Sequence, residues 1–426
     1  MKHTPIQHPW NLYSPTRQWS FLAVLFLVST SNYVDRNIIS VLLEPIKAEF
    51  GVSDTLLGLL TGISFAVFYA TLGIPVARWA DRGNRKTIIT ISLTIWSVMT
   101  ALCGMAQSFW QLVLARIGVG AGEAGAIPPA QSLIADYFGP TRCARALAVF
   151  MSSGMIGYLL GFVVGAKIAT DYGWRAAFLI VGLPGLALAI LVHFVLHEPR
   201  TLPQFQPLPN SQESIRATFE ALLAKRTFVY LLIAMVIYFL VAYGAVVFFP
   251  SYMIRVLNVS LAEIGTSYGA VSAVSSIAGT VLGGFLTDRL AQRNPAWLGR
   301  LPALGLVLAW PLYEAMLLAP TYATVLVFAG LAGVALNATV PAMFAALHAI
   351  CGSARRAMAV AVVFFFANLI GLGLGPVIAG AMSDAFSAMH GPVGIRYALV
   401  IVMLLLLPCA WMLLMSSRHL AKDMEA

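Results

Sequence analysis

Charge is scarce in this chain. Of its 426 residues only 10% are Asp, Glu, Lys or Arg, while 60% are apolar. A soluble domain carries about 25% charged residues. So few charges cannot cover so much apolar surface in water. That excludes a cytosolic enzyme, a coiled coil and a disordered chain. Cysteine is scarce too. The four, Cys103, Cys143, Cys351 and Cys409, lie far apart, form no C-x-x-C pair and sit in no His-rich tract. No metal site, disulfide framework or cofactor is expected from them. Residues 1–17 lack an apolar core and contain Pro5, Pro9 and Pro15, so they read as a tail rather than a cleavable leader. The net charge of +9 is not gathered into a stripe, which argues against a nucleic-acid partner.

What the chain has is apolar runs. One membrane crossing needs about 20 mostly apolar residues. Twelve such runs are read: 18–43, 54–79, 86–106, 109–136, 143–168, 174–196, 227–252, 261–287, 300–319, 322–348, 356–383 and 394–415. The expectation is an all-α polytopic membrane protein. With both termini in the cytoplasm, nineteen of the 26 Lys and Arg fall in cytoplasmic segments and five outside. The positive-inside rule favours that orientation. Residues 197–226 hold Pro199, Pro203, Pro207 and Pro209, then a charged stretch from Gln212 to Lys225 with a helical look. They read as a cytoplasmic linker between two halves, 18–196 and 227–415, with short cytoplasmic tails at 1–17 and 416–426.

The halves repeat one another. Ala77-Arg-Trp-Ala-Asp81-Arg82 after span two is echoed by Gly284-Phe-Leu-Thr-Asp288-Arg289 after span eight. Arg145-Ala-Leu-Ala-Val opens span five, and Arg356-Ala-Met-Ala-Val opens span eleven. Trp174-Arg175-Ala-Ala-Phe precedes span six, and Ile395-Arg396-Tyr-Ala-Leu precedes span twelve. Three matches in one order imply two pseudo-symmetric six-helix halves of equal orientation. Parallel repeats of this kind place a substrate site near the midplane, reached alternately from each side.

The loop after span two resembles the signature of the major facilitator superfamily, Gly-x-x-x-Asp-Arg-x-Gly-Arg-Lys. Asp81, Arg82, Arg85 and Lys86 match it, whereas Ala77 and Asn84 stand where glycines are usual. The resemblance implies that these charges, with Asp288 and Arg289, form a cytoplasmic gate. Such ion pairs latch the halves in the outward-open state, as a bistable set can. Simple positive-inside topology is the other reading of the same charges.

Ionisable residues inside a span are expensive and point to function. Asp35 and Arg36 lie in span one, Arg116 and Glu123 in span four, and Glu314 in span nine is a weaker case. Arg116 and Glu123 are nearly two helical turns apart, so they share a face. Counted from Trp19, Asp35 lies about 24 Å along span one. Counted from Trp110, Arg116 lies about 9 Å and Glu123 about 20 Å along span four. Asp35 and Arg116 therefore reach similar depths, and Asp35 is expected to pair with Arg116, with Glu123 in a central cavity. Pro128 and Pro129 are expected to kink span four just after Glu123. A carboxyl in a low dielectric favours its neutral form, and a neighbouring arginine favours the charged one. Movement of the arginine thus exchanges a proton, and the released arginine can hold an anionic head group. A structural ion pair stapling spans one and four is the plainer alternative.

Two longer stretches are more specific. Asn32-Tyr33-Val-Asp35-Arg36-Asn37 and Arg116-Ile-Gly-Val-Gly120-Ala-Gly122-Glu123-Ala124 resemble the spinster branch of the superfamily. The resemblance implies a bacterial inner-membrane transporter, monomeric, working by alternating access and driven by protons. Asp35 and Glu123 would couple the proton, and Arg36 and Arg116 would hold the head group. The substrate implied is a lysophospholipid or a sphingosine-1-phosphate-like amphipathic anion. Small organic anions, or the varied substrates of a multidrug exporter, are the alternative. Candidate cavity residues are Asn32, Tyr33, Tyr243, Asn337 and Asn368, each equally readable as a packing or interhelical hydrogen-bonding residue. The seven histidines are scattered, which speaks against a membrane-bound enzyme.

Overall fold

A computed structural model describes residues 9–201 and 215–425, apart from the side chains at 74, 81, 82, 215–218, 352–357 and 425. Among the described residues there is no β-strand. Nine helical stretches among the described residues are long and apolar enough to cross a membrane. Two of them, Phe109–Tyr172 and Met358–Met424, run to 64 and 67 residues, well over twice what one crossing needs. The twelve expected spans fall on these nine stretches and on α1 (Pro15–Phe50), a 36-residue helix outside the nine.

The chain forms two compact units. The first holds residues 1–50 and 64–210, the second 51–63 and 211–426. In the first, α1 packs along α6 (Ile127–Tyr172), and α4 (Arg85–Met105) packs on α5 (Phe109–Glu123) and α7 (Trp174–Val195). Side chains that cap helix ends explain several boundaries. Asn84 accepts from the Thr87 N–H at the start of α4, and Ser108 accepts from the Gln111 N–H at the start of α5. Each satisfies a donor that the first turn leaves without an intrahelical partner.

Span four is interrupted just after Glu123. α5 stops at Glu123, and α6 restarts at Ile127 with proline in its first turn. Ala124 and Ala126 keep right-handed helical dihedrals across the break, so Pro128 and Pro129 follow a kink within the one stretch Phe109–Tyr172, where it was expected. A second break falls at Gly139, whose φ of 64° is left-handed, a region that glycine enters at little cost.

Span two is divided more sharply. α2 (Asp54–Thr61) ends at Gly62, outside helical dihedrals, and α3 (Ile63–Arg82) follows. By sequence both belong to the first half, yet residues 51–63 cluster with the second unit. Named bonds account for this. Asp384 accepts from the Asp54 and Thr55 N–H groups at 2.8 Å each and from the Thr55 hydroxyl at 2.6 Å. Arg255, near the C-terminus of α10 (Phe249–Leu257), forks onto the buried Asp54 carboxylate at 2.6 and 2.7 Å. Ser383 donates to the same carboxylate at 2.6 Å. The second unit also contains α8 (Ile215–Leu223), on the stretch read as a surface helix, and α9 (Arg226–Val246).

Candidate functional site

The four membrane charges of the first unit come together. Asp35 and Arg36 are consecutive on α1, so they point about 100° apart around the helix. Asp35 turns toward α4 and α5. It accepts from the Thr100 hydroxyl, and its Oδ1 stands 3.9 Å from Nη1 of Arg116. Arg36 turns toward the other end of α5. Its Nε donates to Oε2 of Glu123 at 2.7 Å. Asn32, one turn before Arg36, lies beside the Glu123 carboxylate. Asp35 and Arg116 are each 2% exposed and Glu123 is fully buried.

Two rings of α3 complete the group. Phe65 and Tyr69 stack at 5.4 Å and 18°. The Arg36 guanidinium lies 5.0 Å from the Phe65 centroid and 4.4 Å from that of Tyr69, and the Arg116 guanidinium lies 5.4 Å from Phe65. Each arginine thus has a ring face as well as a carboxylate. Several polar atoms here make no hydrogen bond among the described residues. They include Oδ1 of Asp35, Nε and Nη1 of Arg116, and Oε1 of Glu123. Buried polar atoms are normally satisfied. A site that keeps donors and acceptors in reserve can receive an anion, a proton or water.

The expected Asp35–Arg116 contact is present, but long. The shorter contact, Arg36 to Glu123, was not anticipated, nor were Thr100, Phe65 and Tyr69. A threonine, a phenylalanine and a tyrosine in apolar spans are too common to stand out by pattern. Tyr33 is half-buried on α1, where its carbonyl accepts from Asn37 at 2.7 Å.

The remaining candidates are placed elsewhere. In the second unit, Asn337 accepts from Ser276 at 3.1 Å and donates to the Gly333 carbonyl, which ties two helices. Asn368 donates to the Phe364 carbonyl of its own helix at 2.7 Å. Tyr243 stacks on Phe239 at 5.7 Å. Glu314 accepts from Trp310 at 3.0 Å. Of the residues expected to form a gate, the side chains of Asp81 and Arg82 lie outside those described. Arg85 is fully buried in the first unit, bonded to Glu198 and Ser132 and 2.6 Å from Asp136. Lys86 is half-buried, and Asp288 and Arg289 are exposed. No group of metal-ligating side chains is present among the described residues.

Residues 25–316 match the family profile described as Major Facilitator Superfamily. The chain belongs to the major facilitator superfamily. This facilitator is 34% identical to an MFS-type efflux pump of Mycolicibacterium smegmatis, across 92% of its own length and 90% of the relative's. It is 27% identical to protein spinster homolog 1 of Xenopus tropicalis, across 88% of its own length and 74% of the relative's. Among solved structures it resembles a bacterial homolog of the human lysosomal transporter spinster, in an inward-facing and unoccupied conformation. That likeness has a TM-score of 0.88 and 32% identity, and covers 96% of this chain and 99% of the other. The facilitator is thus a polytopic membrane transporter with spinster homology, not an enzyme.

Proposed function

We propose that the protein is a proton-coupled secondary transporter of an amphipathic anion of the lysophospholipid or sphingosine-1-phosphate kind. The observation that carries this is the pairing of two buried carboxylates with two arginines, Arg116 buried and Arg36 half-buried, in one unit. A single structural staple needs one acid and one base. Here the Arg116 side of the group keeps donors unspent, as a head-group site requires. Asp35 and Glu123 exchange the proton, and Arg36 and Arg116 hold the anionic head. Departure of an arginine leaves its buried acid without a counter-charge, which favours protonation. Proton binding is thereby tied to the arrangement of the helices without covalent chemistry. The charges at Asp81, Arg82, Lys86, Asp288 and Arg289 bias the conformational exchange. The protein works as a monomer in a bacterial inner membrane, with both termini cytoplasmic.

The test is flux of labelled lysophosphatidate or sphingosine-1-phosphate into proteoliposomes, with and without an imposed proton gradient. Gradient-driven flux that Asp35→Asn and Glu123→Gln both abolish supports the reading. Flux that ignores the gradient and survives both substitutions sinks proton coupling. A second reading, export of varied drugs, is favoured by the efflux-pump relative. Under that reading Arg116→Ala leaves transport of neutral drugs intact and no lysolipid moves.

A further inference from the structure

Arg116 is held in an unusual way. It is 2% exposed, its nearest acid is 3.9 Å away, and neither Nε nor Nη1 makes a hydrogen bond among the described residues. A buried guanidinium so poorly paired is costly. The π-face of Phe65 also lies close to it, 5.4 Å from the guanidinium carbon. The same ring takes Arg36 at 5.0 Å. Phe65 is itself buried and stacked on Tyr69. Its depth is set by the backbone: a Cβ added at Gly120, one turn beyond Arg116, would meet the Phe65 carbonyl at 2.5 Å. Bare glycine there lets α5 touch α3, which brings the ring to the arginine.

The two kinds of contact use different parts of the arginine. A ring attracts the flat face of the guanidinium, whereas the N–H donors lie in its plane. We propose that Phe65 is a positioning residue for anion binding: it holds Arg116 by the face and so leaves its N–H edge open to the substrate's anionic head. This rests on the reading of Arg116 as a head-group residue. Arg36 differs, since its Nε is already given to Glu123. Phe65 therefore holds one arginine for the ligand and helps to hold the other for an acid.

A ring that merely fills space is replaceable by anything of its shape. Fluorinated phenylalanines introduced at position 65 keep the shape and weaken the π-face stepwise. The full-length protein in detergent would be assayed for binding of labelled lysophosphatidate, with Phe65→Leu and Phe65→Tyr alongside. The expected result is affinity falling in steps with fluorination, by about tenfold at trifluorophenylalanine, with Phe65→Tyr close to wild type. Equal affinity across a folded series overturns the proposal. If the unsubstituted protein binds no lysophosphatidate, the substrate reading fails on its own. The melting temperature of the same series then decides the ring's role. A stepwise fall with fluorination supports the ring–arginine contact, and a flat series overturns it.

Discussion

Arg36 donates to Glu123 at 2.7 Å, while Arg116, two turns before Glu123 on the same helix, stands 3.9 Å from Asp35. The two pairs are unequal, and the inequality divides their work. The close pair holds structure as well as charge. The loose pair holds charge with donors in reserve.

Arg36→Ala is expected to strand a fully buried Glu123 and to lower stability by about 3–5 kcal/mol, the usual cost of breaking a buried pair from one side. The melting temperature in detergent checks this. The double substitution Arg36→Met with Glu123→Leu is expected to be more stable than Arg36→Ala, because it leaves no buried charge alone. Arg116→Lys behaves differently. It keeps the charge and loses the fork, so folding changes by less than about 1 kcal/mol while anion binding drops sharply. Unchanged binding by a folded Arg116→Lys protein would remove the fork from the site.

Arg85 joins three elements of the first unit. It bonds Glu198 beyond α7 and Ser132 and Asp136 on α6, with no exposed surface. Arg85→Met is expected to cost about 3–5 kcal/mol, seen as a large fall in melting temperature. If that fall is absent, Arg85 is free to act at the gate rather than being tied within one unit.

The Asp384 carboxylate carries three bonds to the start of α2. Asp384→Ala removes all three, each worth about 0.5–1.5 kcal/mol net. Hydrogen exchange is the direct readout. The amides of Asp54 and Thr55 should exchange faster, and those of α9 should not change. Arg255→Met should act more strongly, since it leaves the buried Asp54 carboxylate without its fork.

Glu49 offers a pH test beyond the expected end of span one. A hydrogen bond from Arg175, and then one from Trp174, hold its carboxyl below the usual range. Because its value is lower in the folded state, its contribution is present above the ordinary carboxylate range and fades as pH falls through the lowered value. The pair is partly exposed, so the effect is small. The melting temperatures of wild type and Glu49→Gln should differ at neutral pH and converge in acid. A difference that persists in strong acid would assign the effect to packing instead.

Much of the candidate site was legible without coordinates, because a charge in an apolar run stands out wherever it ends up. Asp35, Arg36, Arg116 and Glu123 were visible in that way, and helical spacing put Arg116 and Glu123 on one face. The choice of partner was not legible. Depth along two helices matched Asp35 to Arg116, but depth says nothing of rotation about each axis. Rotation is what turned Arg36 toward Glu123. Phe65, Tyr69 and Thr100 carried no signal, since apolar spans contain many such residues. The prolines after Glu123 were read as a kink, and the helix hydrogen bonding does break there while Ala124 and Ala126 keep helical dihedrals.

The sequence by itself determined that this protein lives in a membrane, that its halves repeat and which four charges lie within spans one and four. Those are consequences of residue type and order, and transfer from water depends on composition before it depends on shape. Only the tertiary structure decided which acid meets which base, that a ring lies against both arginines, and that the start of span two clusters with the second unit. Those depend on distances of a few ångströms between residues far apart in the chain, where one helix turned by one residue exchanges every partner.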